Sequence, residues 1–228
     1  MTGIWWLVTV CAMLSVKKTI PPSVIKRLPR YFSCVQNLNE QEIEWVSSSE
    51  LADHLGLTSS TVRQDFSCFD FSSISQRGYN VVGLQKMLIE ILGADMTWKV
   101  VVVGAGNLGK ALALHEEFVR RGFDIVAVFD ANSEKQGTKI GKLDVLPMCD
   151  LPMIVESQGV SMGIIAVPVV AAQDVADLLV AAGVKGILNM SMKNIITPKY
   201  VSVTASRIVS SLQQLSHCAI FSCEKNKK

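Results

Sequence analysis

Apolar and polar positions alternate with two different periods in the second half of the chain. Short apolar runs have the β-branched composition of buried strands, and the segments between them repeat apolar residues at helical spacing. Strands are predicted at Trp98–Val103, Asp124–Phe129, Gly163–Val167 and Gly186–Asn189, and helices at Lys110–Arg121, Leu151–Gln158 and Val170–Ala182. This alternation predicts an α/β fold with a doubly wound parallel sheet.

A glycine-rich turn follows the first of these strands directly. The residues are Gly104, Ala105, Gly106, Asn107, Leu108 and Gly109. Gly104 permits a tight turn, Gly106 lets the backbone approach a pyrophosphate, and Gly109 lets helix and strand pack closely. Free N–H groups at the helix N-terminus bind the anion. The order of strand, glycines and helix predicts a Rossmann dinucleotide site, with a Rossmann-like fold that binds no nucleotide as the alternative.

Asp130 ends the second predicted strand, 21 residues after Gly109. A carboxylate at this place accepts hydrogen bonds from the adenosine ribose hydroxyls and repels a 2′-phosphate. No Arg follows Asp130 directly to bind such a phosphate. We therefore expect NAD(H) as the cofactor and not NADP(H).

The first half of the chain contains a helix-turn-helix pattern. Ser47 and Glu50 fit a capping box, and the short helix they begin ends at Gly56. Thr58 or Ser59 can cap a second helix over 60–66, whose Val62 and Phe66 are spaced to face inward. Its outward residues suit the major groove of DNA, although many helical hairpins share this pattern.

Basic residues cluster before this motif, and Arg77 follows it. The segment from Lys17 to Arg30 has five basic residues and no acidic one, and the alternative is a solvated helix face. Residues 76–81 are typical of a turn into a short strand, which predicts a wing. The expected DNA contacts are Lys26, Arg27, Arg30, Ser60, Thr61, Arg63, Gln64 and Arg77.

Composition excludes several classes of protein. Of 228 residues, 49% are hydrophobic and 18% charged, as in a folded globular chain. The 22 basic and 20 acidic residues nearly balance, so a polyanion must be bound by a local patch. The longest nearly apolar run, Ile4–Leu14, has 11 residues against the ~20 of a membrane helix. We expect no membrane association, and we interpret the first dozen residues as an extension or a start codon assigned too early, with an export signal as the lesser alternative.

The cysteines and the C-terminus bear on compartment and assembly. Six scattered cysteines form no CxxC pair, so we expect no metal site and free thiols in a reducing cytoplasm. Residues 208–221 have the spacing of an amphipathic helix, whose apolar face we expect a partner subunit to cover. We expect a winged-helix domain at 17–92, a Rossmann domain at 93–203 and a dimerisation helix at 204–228.

A regulator fits this organisation better than an enzyme does. Only 39 residues follow Asn189, too few for the substrate domain of a dehydrogenase. His115, expected two turns into the phosphate-binding helix, has no obvious carboxylate to orient it. A DNA-binding head joined to an NAD-binding body predicts a redox-responsive regulator. A small NAD-dependent oxidoreductase and an NAD-binding scaffold that does not bind DNA are the alternatives.

The order of these motifs resembles the Rex family of redox-sensing transcriptional repressors over nearly all of residues 19–221. The matching segments are 22–28, 62–67, 77–81, 103–109, 166–168, 183–189 and 212–216. The resemblance implies a homodimer that binds an inverted-repeat operator, a C-terminal helix swapped into the partner, and release from DNA on binding NADH. It also implies that Ala166, Val167, Pro168 and Asn189 contribute to the cofactor site.

The chain departs from the family's usual pattern at positions that bear on the switch. Family members usually have an Arg at Ser33 and an Asp at Arg207, within a charge network that links head, cofactor pocket and swapped helix. His115 replaces an aromatic residue, Met190 a Phe and Gln64 a Lys, and the wing is two residues shorter before Tyr79. A divergent paralogue with an altered or absent NADH response is therefore the alternative to a redox-sensing repressor.

Overall fold

The chain forms two compact units that divide between Met96 and Thr97. The structure, a computed structural model, describes residues 20–69, 71, 74–75 and 77–225, and the side chains of 20–69, 71 and 77–220. The predicted N-terminal extension, Lys17, Lys18 and Gln76 lie outside these residues. Among the helices so described, none is both long and apolar enough to span a membrane.

The N-terminal unit is a helical domain with a small antiparallel sheet. Its helices are α1 (Pro22–Ile25), α2 (Leu28–Glu40), α3 (Ser48–Leu55), α4 (Ser59–Phe66) and α5 (Val81–Leu92). Strands β1 (Trp45–Val46), β2 (Ile74–Ser75) and β3 (Gly78–Asn80) pair in the order β1-β3-β2. One apolar cluster joins the helices and includes the fully buried Tyr31, Val35, Leu51, Val62 and Leu84.

Local hydrogen bonds fix the ends of the helices that form the motif. Ser47 Oγ accepts from Glu50 N at 3.1 Å and Glu50 Oε2 accepts from Ser47 N at 2.7 Å, which confirms the predicted capping box. Gly56 ends α3 in the left-handed conformation, with φ 64°. Thr58 Oγ1 then accepts from Thr61 N at 3.1 Å and begins α4. These caps end α3 and begin α4 within a few residues of each other, which makes the turn between the two helices short.

The C-terminal unit is a sheet whose strands are joined by helices and short turns. Its strands are β4 (Trp98–Val103), β5 (Phe123–Phe129), β6 (Lys139–Ile140), β7 (Leu143–Leu146), β8 (Met162–Ile165), β9 (Gly186–Asn189) and β10 (Ser202–Ala205). Its helices are α6 (Asn107–Ala113), α7 (Glu116–Arg120), α8 (Leu151–Gln158), α9 (Ala172–Ala181) and α10 (Ile208–Lys225). The seven strands pair in the order β10-β9-β8-β4-β5-β7-β6, parallel except for β6.

Both faces of this sheet carry apolar side chains. Val101 and Val103 of β4 belong to one cluster with α8 and α9, and Val100 and Val102 belong to a second one. This arrangement explains the unbroken run of valines, because a strand buried on both faces needs apolar residues at every position. The doubly wound parallel sheet predicted from the sequence is confirmed.

Three details of the predicted elements are wrong or were missed. The helix predicted at 110–121 is two helices, because the chain is extended at His115, whose Nδ1 accepts from Glu117 N at 3.3 Å and caps α7. His115 therefore begins the second helix and does not lie within the first. The helix predicted at 170–182 starts with a 3-10 turn at Val169–Ala171. Strands β6, β7 and β10 were not predicted.

Candidate functional site

The glycine-rich turn places backbone atoms at the carboxyl end of β4. Gly104 has φ 110°, and a Cβ there would lie 2.4 Å from Ala166 O. A Cβ on Gly109 would lie 1.7 Å from Gly104 O, so only glycine lets α6 approach the strand this closely. A Cβ on Gly106 would meet no heavy atom within 4 Å. Gly104 and Gly109 therefore serve the fold, and the open side of Gly106 is available to a ligand.

The turn forms one wall of a cleft of about 760 Å³. Its walls include eight of the predicted cofactor residues, namely Gly104, Gly106, Asn107, Leu108, Asp130, Ala166, Val167 and Pro168. The other walls come from the turn after β5 and from α9. A cleft of this size at the carboxyl ends of parallel strands is the usual ligand site of a doubly wound sheet.

Three predicted cofactor residues do not line the cleft. Ala105 is buried and donates its N–H to Asp130 Oδ2 at 2.7 Å, and Gly109 packs against the turn from behind. Asn189 is only 1% exposed. Its Nδ2 donates to Lys193 O at 2.8 Å, and its Oδ1 accepts from Ser191 N and Oγ. The structure therefore gives Asn189 a role in the turn after β9 instead of the expected place on the cleft wall.

The Asp130 carboxylate is held by three donors of the protein. Its Oδ2 accepts from Ala105 N at 2.7 Å and from Lys135 Nζ at 3.0 Å, and its Oδ1 accepts from Asn132 N at 2.8 Å. Burial raises the pKa of Asp130, but the hydrogen bonds from Asn132, Lys135 and Ala105 outweigh burial and lower the pKa below its ordinary value. The carboxylate is therefore ionised at neutral pH and faces the cleft.

Two polar residues of the cleft were missed by sequence reasoning. Asn132 and Lys135 line it beside Asp130, in the turn that follows β5. The argument from the sequence considered only whether an Arg directly follows Asp130, and so it did not include Lys135. The signal was the spacing of Asp130, Asn132 and Lys135, which returns the backbone N–H of Asn132 and the ammonium group of Lys135 to the carboxylate.

The helix-turn-helix of the N-terminal unit exposes the predicted recognition residues. Val62 and Phe66 of α4 are buried, as predicted, while Ser60, Arg63 and Gln64 are exposed and Thr61 is half-buried. Arg63 Nη1 donates to Ser48 Oγ at 3.2 Å. The outward face of α4 thus presents a guanidinium, an amide and a hydroxyl, which are groups that read base edges and phosphates.

A buried carboxylate attaches this helix to the basic segment before α2. Asp65 is 2% exposed, and its oxygens accept from Arg27 Nε and Nη2, both at 2.6 Å, and from Tyr31 Oη at 2.8 Å. The hydrogen bond with Asp65 raises the pKa of Arg27, and burial raises that of Tyr31. Arg27 therefore helps to position α4 through Asp65, and its contact with DNA stays a prediction.

The remaining predicted DNA contacts are on the surface of the same unit. Lys26 and Arg30 are exposed, and Arg30 Nη2 donates to Leu55 O at the end of α3. Arg77 is exposed at the turn between β2 and β3, so the predicted wing is an antiparallel hairpin. A Cβ on Gly78 would lie 2.4 Å from Val46 O, so this glycine allows the hairpin to pack on β1.

The structure offers little support for a metal or disulfide site. Among the described residues, no three His, Cys, Asp or Glu side chains lie close enough to hold an ion. Cys34, Cys68, Cys149 and Cys218 are free thiols.

Comparison with known protein families agrees with the two-unit organisation. The family model described as "Putative DNA-binding protein N-terminus" matches residues 19–67, which contain the helix-turn-helix. The model described as "CoA binding domain" matches residues 95–192, which contain the cleft.

Relatives are similar over most of the chain. The redox-sensing transcriptional repressor Rex of Carboxydothermus hydrogenoformans is 44% identical over 197 residues, which are 86% of this chain and 95% of that protein. The crystal structure of RSP in complex with β-NADH has a TM-score of 0.80 and 34% identity, and covers 92% of this chain and 100% of its own. The structure of RSP with β-NAD⁺ and operator DNA has a TM-score of 0.81 and 32% identity, and covers 92% and 99%. The resemblance predicted from the motifs is confirmed, and the chain belongs to the Rex family of redox-sensing transcriptional repressors.

Proposed function

We propose that this chain is a transcriptional repressor that binds an inverted-repeat operator as a homodimer, senses the NADH/NAD⁺ ratio, and is released from DNA by NADH. One observation carries the proposal: an exposed recognition helix and a dinucleotide cleft occur in one chain whose fold matches RSP in complex with NADH and in complex with NAD⁺ and operator DNA. Because it acts on chromosomal DNA, the repressor belongs in the cytoplasm.

The cleft supports NAD(H) as the regulatory ligand. The open side of Gly106 allows the pyrophosphate to approach the backbone at the N-terminus of α6. Asp130 Oδ1 accepts a single described hydrogen bond, from Asn132 N, and so has room for a ribose hydroxyl. Ala166, Val167 and Pro168, which follow β8, add a largely apolar wall to the cleft. Such a wall suits the parts of the coenzyme other than its pyrophosphate and ribose hydroxyls.

The DNA surface supports sequence-specific binding. Arg63 and Gln64 project from the second helix of the motif, where a bidentate Arg suits guanine and a Gln suits adenine. Lys26, Arg30 and Arg77 are exposed cations of the same unit, and their charge suits phosphates. The Arg27–Asp65 pair positions the helix that carries the base-reading residues.

Unpartnered apolar surfaces in the C-terminal unit support a homodimer. Along α10, Ile208, Val209, Leu212, Leu215 and Ile220 are between 51% and 63% exposed. One face of the sheet also contains an apolar cavity of about 330 Å³. Apolar area of this extent is unfavourable in water, and a second copy of the chain that exchanges α10 would cover it.

Dimer geometry provides the switch. Two recognition helices must lie about one turn of DNA apart, ~34 Å, to read an inverted repeat. A rotation between subunits that changes this spacing weakens binding without altering any DNA contact. NADH drives this rotation because it binds the released form more tightly than NAD⁺ binds that form. The difference in binding free energy is typically ~1–3 kcal/mol in such coupled systems.

A divergent paralogue with a weaker NADH response is the second candidate, and one contact favours it. Arg207 stands just before α10, where relatives usually have an Asp, and its Nη2 donates to Asn194 Oδ1. In this structure Arg207 is thus paired with a neutral amide. The charge network that links α10 to the switch in the family is altered at this point.

Operator binding measured with NADH, with NAD⁺ and with neither tests the proposal. We expect retardation of a promoter fragment without ligand and with NAD⁺, and its loss with NADH. Equal retardation in all three conditions would favour the paralogue, and none at physiological salt would favour a scaffold that does not bind DNA. Consumption of NADH with a small carbonyl compound would favour an oxidoreductase, whereas a regulator binds NADH without turning it over.

A further inference from the structure

Arg63, the cation on the outward face of α4, has a hydrogen-bond partner on the preceding helix. Arg63 Nη1 donates to Ser48 Oγ at 3.2 Å, and the two residues are 15 positions apart in sequence. Ser48 is the first residue of α3 and is half-buried, whereas Arg63 is exposed. The guanidinium is therefore bound to the protein through Nη1, and the described contacts leave its other two nitrogens open.

This contact leaves a particular edge of the guanidinium open. The Nε–H and one N–H of Nη2 point in the same direction and can donate two parallel hydrogen bonds. Arg27 uses this edge in the same unit, because its Nε and Nη2 both donate to Asp65 at 2.6 Å. No described hydrogen bond involves this edge of Arg63, so it is free to donate to O6 and N7 of a guanine.

A hydroxyl suits this contact better than a carboxylate does. Asp65 neutralises the charge of Arg27, and its two oxygens occupy the Nε–Nη2 edge of that side chain. Ser48 is neutral, so Arg63 keeps its full positive charge for the acceptor edge of a guanine. The Ser48 hydroxyl accepts from only one nitrogen of the guanidinium. Ser48 therefore orients Arg63 without competing with DNA for it.

Packing around the start of α3 holds Ser48 in place. The capping box that begins with Ser47 fixes the first turn of the helix. Val46, just before this turn, pairs with Tyr79 of the wing strand β3. A Cβ on Gly78 would lie 2.9 Å from Ser47 Cα, so this strand lies directly against the start of the helix. The Ser48 hydroxyl therefore has a fixed position from which it can bind Arg63.

The charge of Arg63 is also felt on the wing strand. Burial raises the pKa of Tyr79, and the positive charge of Arg63 opposes that rise. Such an effect requires the guanidinium to lie near the phenol of Tyr79, because the interaction between charges weakens with distance. The start of α3, the recognition helix α4 and the wing strand β3 therefore meet around the Arg63 guanidinium.

We propose that Ser48 is a positioning residue for sequence recognition, which holds Arg63 Nη1 so that the Nε–Nη2 edge faces a guanine in the major groove. The inference rests on the proposed binding of an operator, and it names the residue on which base reading by Arg63 depends. A free Arg side chain loses conformational freedom when it binds. Ordering it in the free protein removes part of that cost, and this corresponds to about fivefold in affinity.

Titration of the full chain with operator DNA and with scrambled DNA tests this, where the operator is the sequence that the wild type selects from random duplexes. Ser48→Ala should weaken operator binding about fivefold. It should change scrambled-DNA binding by less than about twofold, because such DNA is bound through its phosphates. In the Arg63→Ala background, Ser48→Ala should change operator binding by less than about twofold, since the residue that it positions is absent. Circular dichroism checks that each variant is folded.

Ser49→Ala is the matched control. Ser49 is the next residue of the same helical turn, is exposed, and has no described hydrogen bond. Its substitution removes the same hydroxyl from the same surface and should leave operator binding within about twofold of the wild type. Ser48→Thr and Ser48→Val are a second pair, which differ little in shape while only Thr has a hydroxyl. Ser48→Thr should retain most of the affinity that Ser48→Val loses, and this pair replaces Ser48→Ala if that variant does not fold.

The outcomes separate this inference from the proposed function. A wild type that selects no operator overturns both. If the wild type binds an operator and Arg63→Ala loses no specificity, base reading by Arg63 and this inference fail, while the proposed repressor stands. An unchanged Ser48→Ala, or one that loses no more than Ser49→Ala, overturns only the inference. An equal loss in the Arg63→Ala background, or an equal loss on scrambled DNA, also overturns it, because Ser48 would then contact DNA directly.

Discussion

Substitution of Gly106 and Gly109 should separate coenzyme binding from folding. Gly106 has extended backbone angles, φ −81° and ψ −175°, and open space where a side chain would begin. Gly106→Val should therefore fold with nearly unchanged stability, because neither strain nor a clash opposes it. Its side chain would occupy the place where the pyrophosphate must approach the backbone, so NADH affinity should fall by 100-fold or more, about 3 kcal/mol.

Gly109→Ala, in the same turn, should instead lower the stability of the fold. Its Cβ would lie 1.7 Å from Gly104 O, a backbone atom that cannot move without shifting the strand. Such overpacking costs about 3 kcal/mol. We expect Gly109→Ala to lower the melting temperature of the C-terminal unit by about 12 °C, at about 4 °C per kcal/mol for a unit of this size.

Calorimetric melting with and without NADH measures both effects. At 100 times its dissociation constant, NADH should stabilise the wild type by about 2.7 kcal/mol, which corresponds to about 10 °C. Gly106→Val should melt like the free wild type and show no shift with NADH. A Gly106→Val variant that is still stabilised by NADH, or a Gly109→Ala variant as stable as the wild type, would refute the assignment of these two roles.

Three further outcomes are expected. Arg63→Ala should weaken specific operator binding by ~1–3 kcal/mol and relax sequence preference, measured by titration with operator and scrambled DNA, whereas the exposed Arg120→Ala should change neither. Asp65→Ala should destabilise the N-terminal unit by about 3 kcal/mol, because it leaves the buried Tyr31 hydroxyl and the Arg27 guanidinium without their acceptor. Tyr31→Phe should cost only about 1 kcal/mol. Equal losses of stability in calorimetry would contradict this hydrogen-bond network. Leu212→Asp should raise the dimer dissociation constant at least about tenfold in sedimentation, and an unchanged constant would remove α10 from the interface.

Much of the site was predictable because its signals are local. The valine run from 98 to 103 and the glycine spacing after it need only a short stretch of chain to specify strand, turn and helix. The capping box of Ser47 and Glu50 is likewise complete within four residues. Such features were located correctly because each hydrogen bond or steric requirement joins near neighbours.

Features whose partners are distant, or whose local signal is weak, were not predicted. The pairing of Arg27 with Asp65 was missed because the two residues are 38 positions apart in sequence. Asn189 was assigned to the cleft by resemblance, and its orientation depends on the turn after β9. Helical spacing continues through residues 110–121, and the break at His115 depends on a cap that periodicity does not show.

The sequence by itself determined the two units, the order of most of their elements, the helix-turn-helix and the glycine-rich turn, since these follow from periodicity, caps and glycine spacing over a few residues. Tertiary structure decided the pairing of Arg27 with Asp65, the edge strand β10 and the placement of Lys135 against Asp130. The physical reason is that burial and ion pairing depend on contacts between residues that are far apart in sequence. A periodic pattern describes only residues that are near neighbours along the chain.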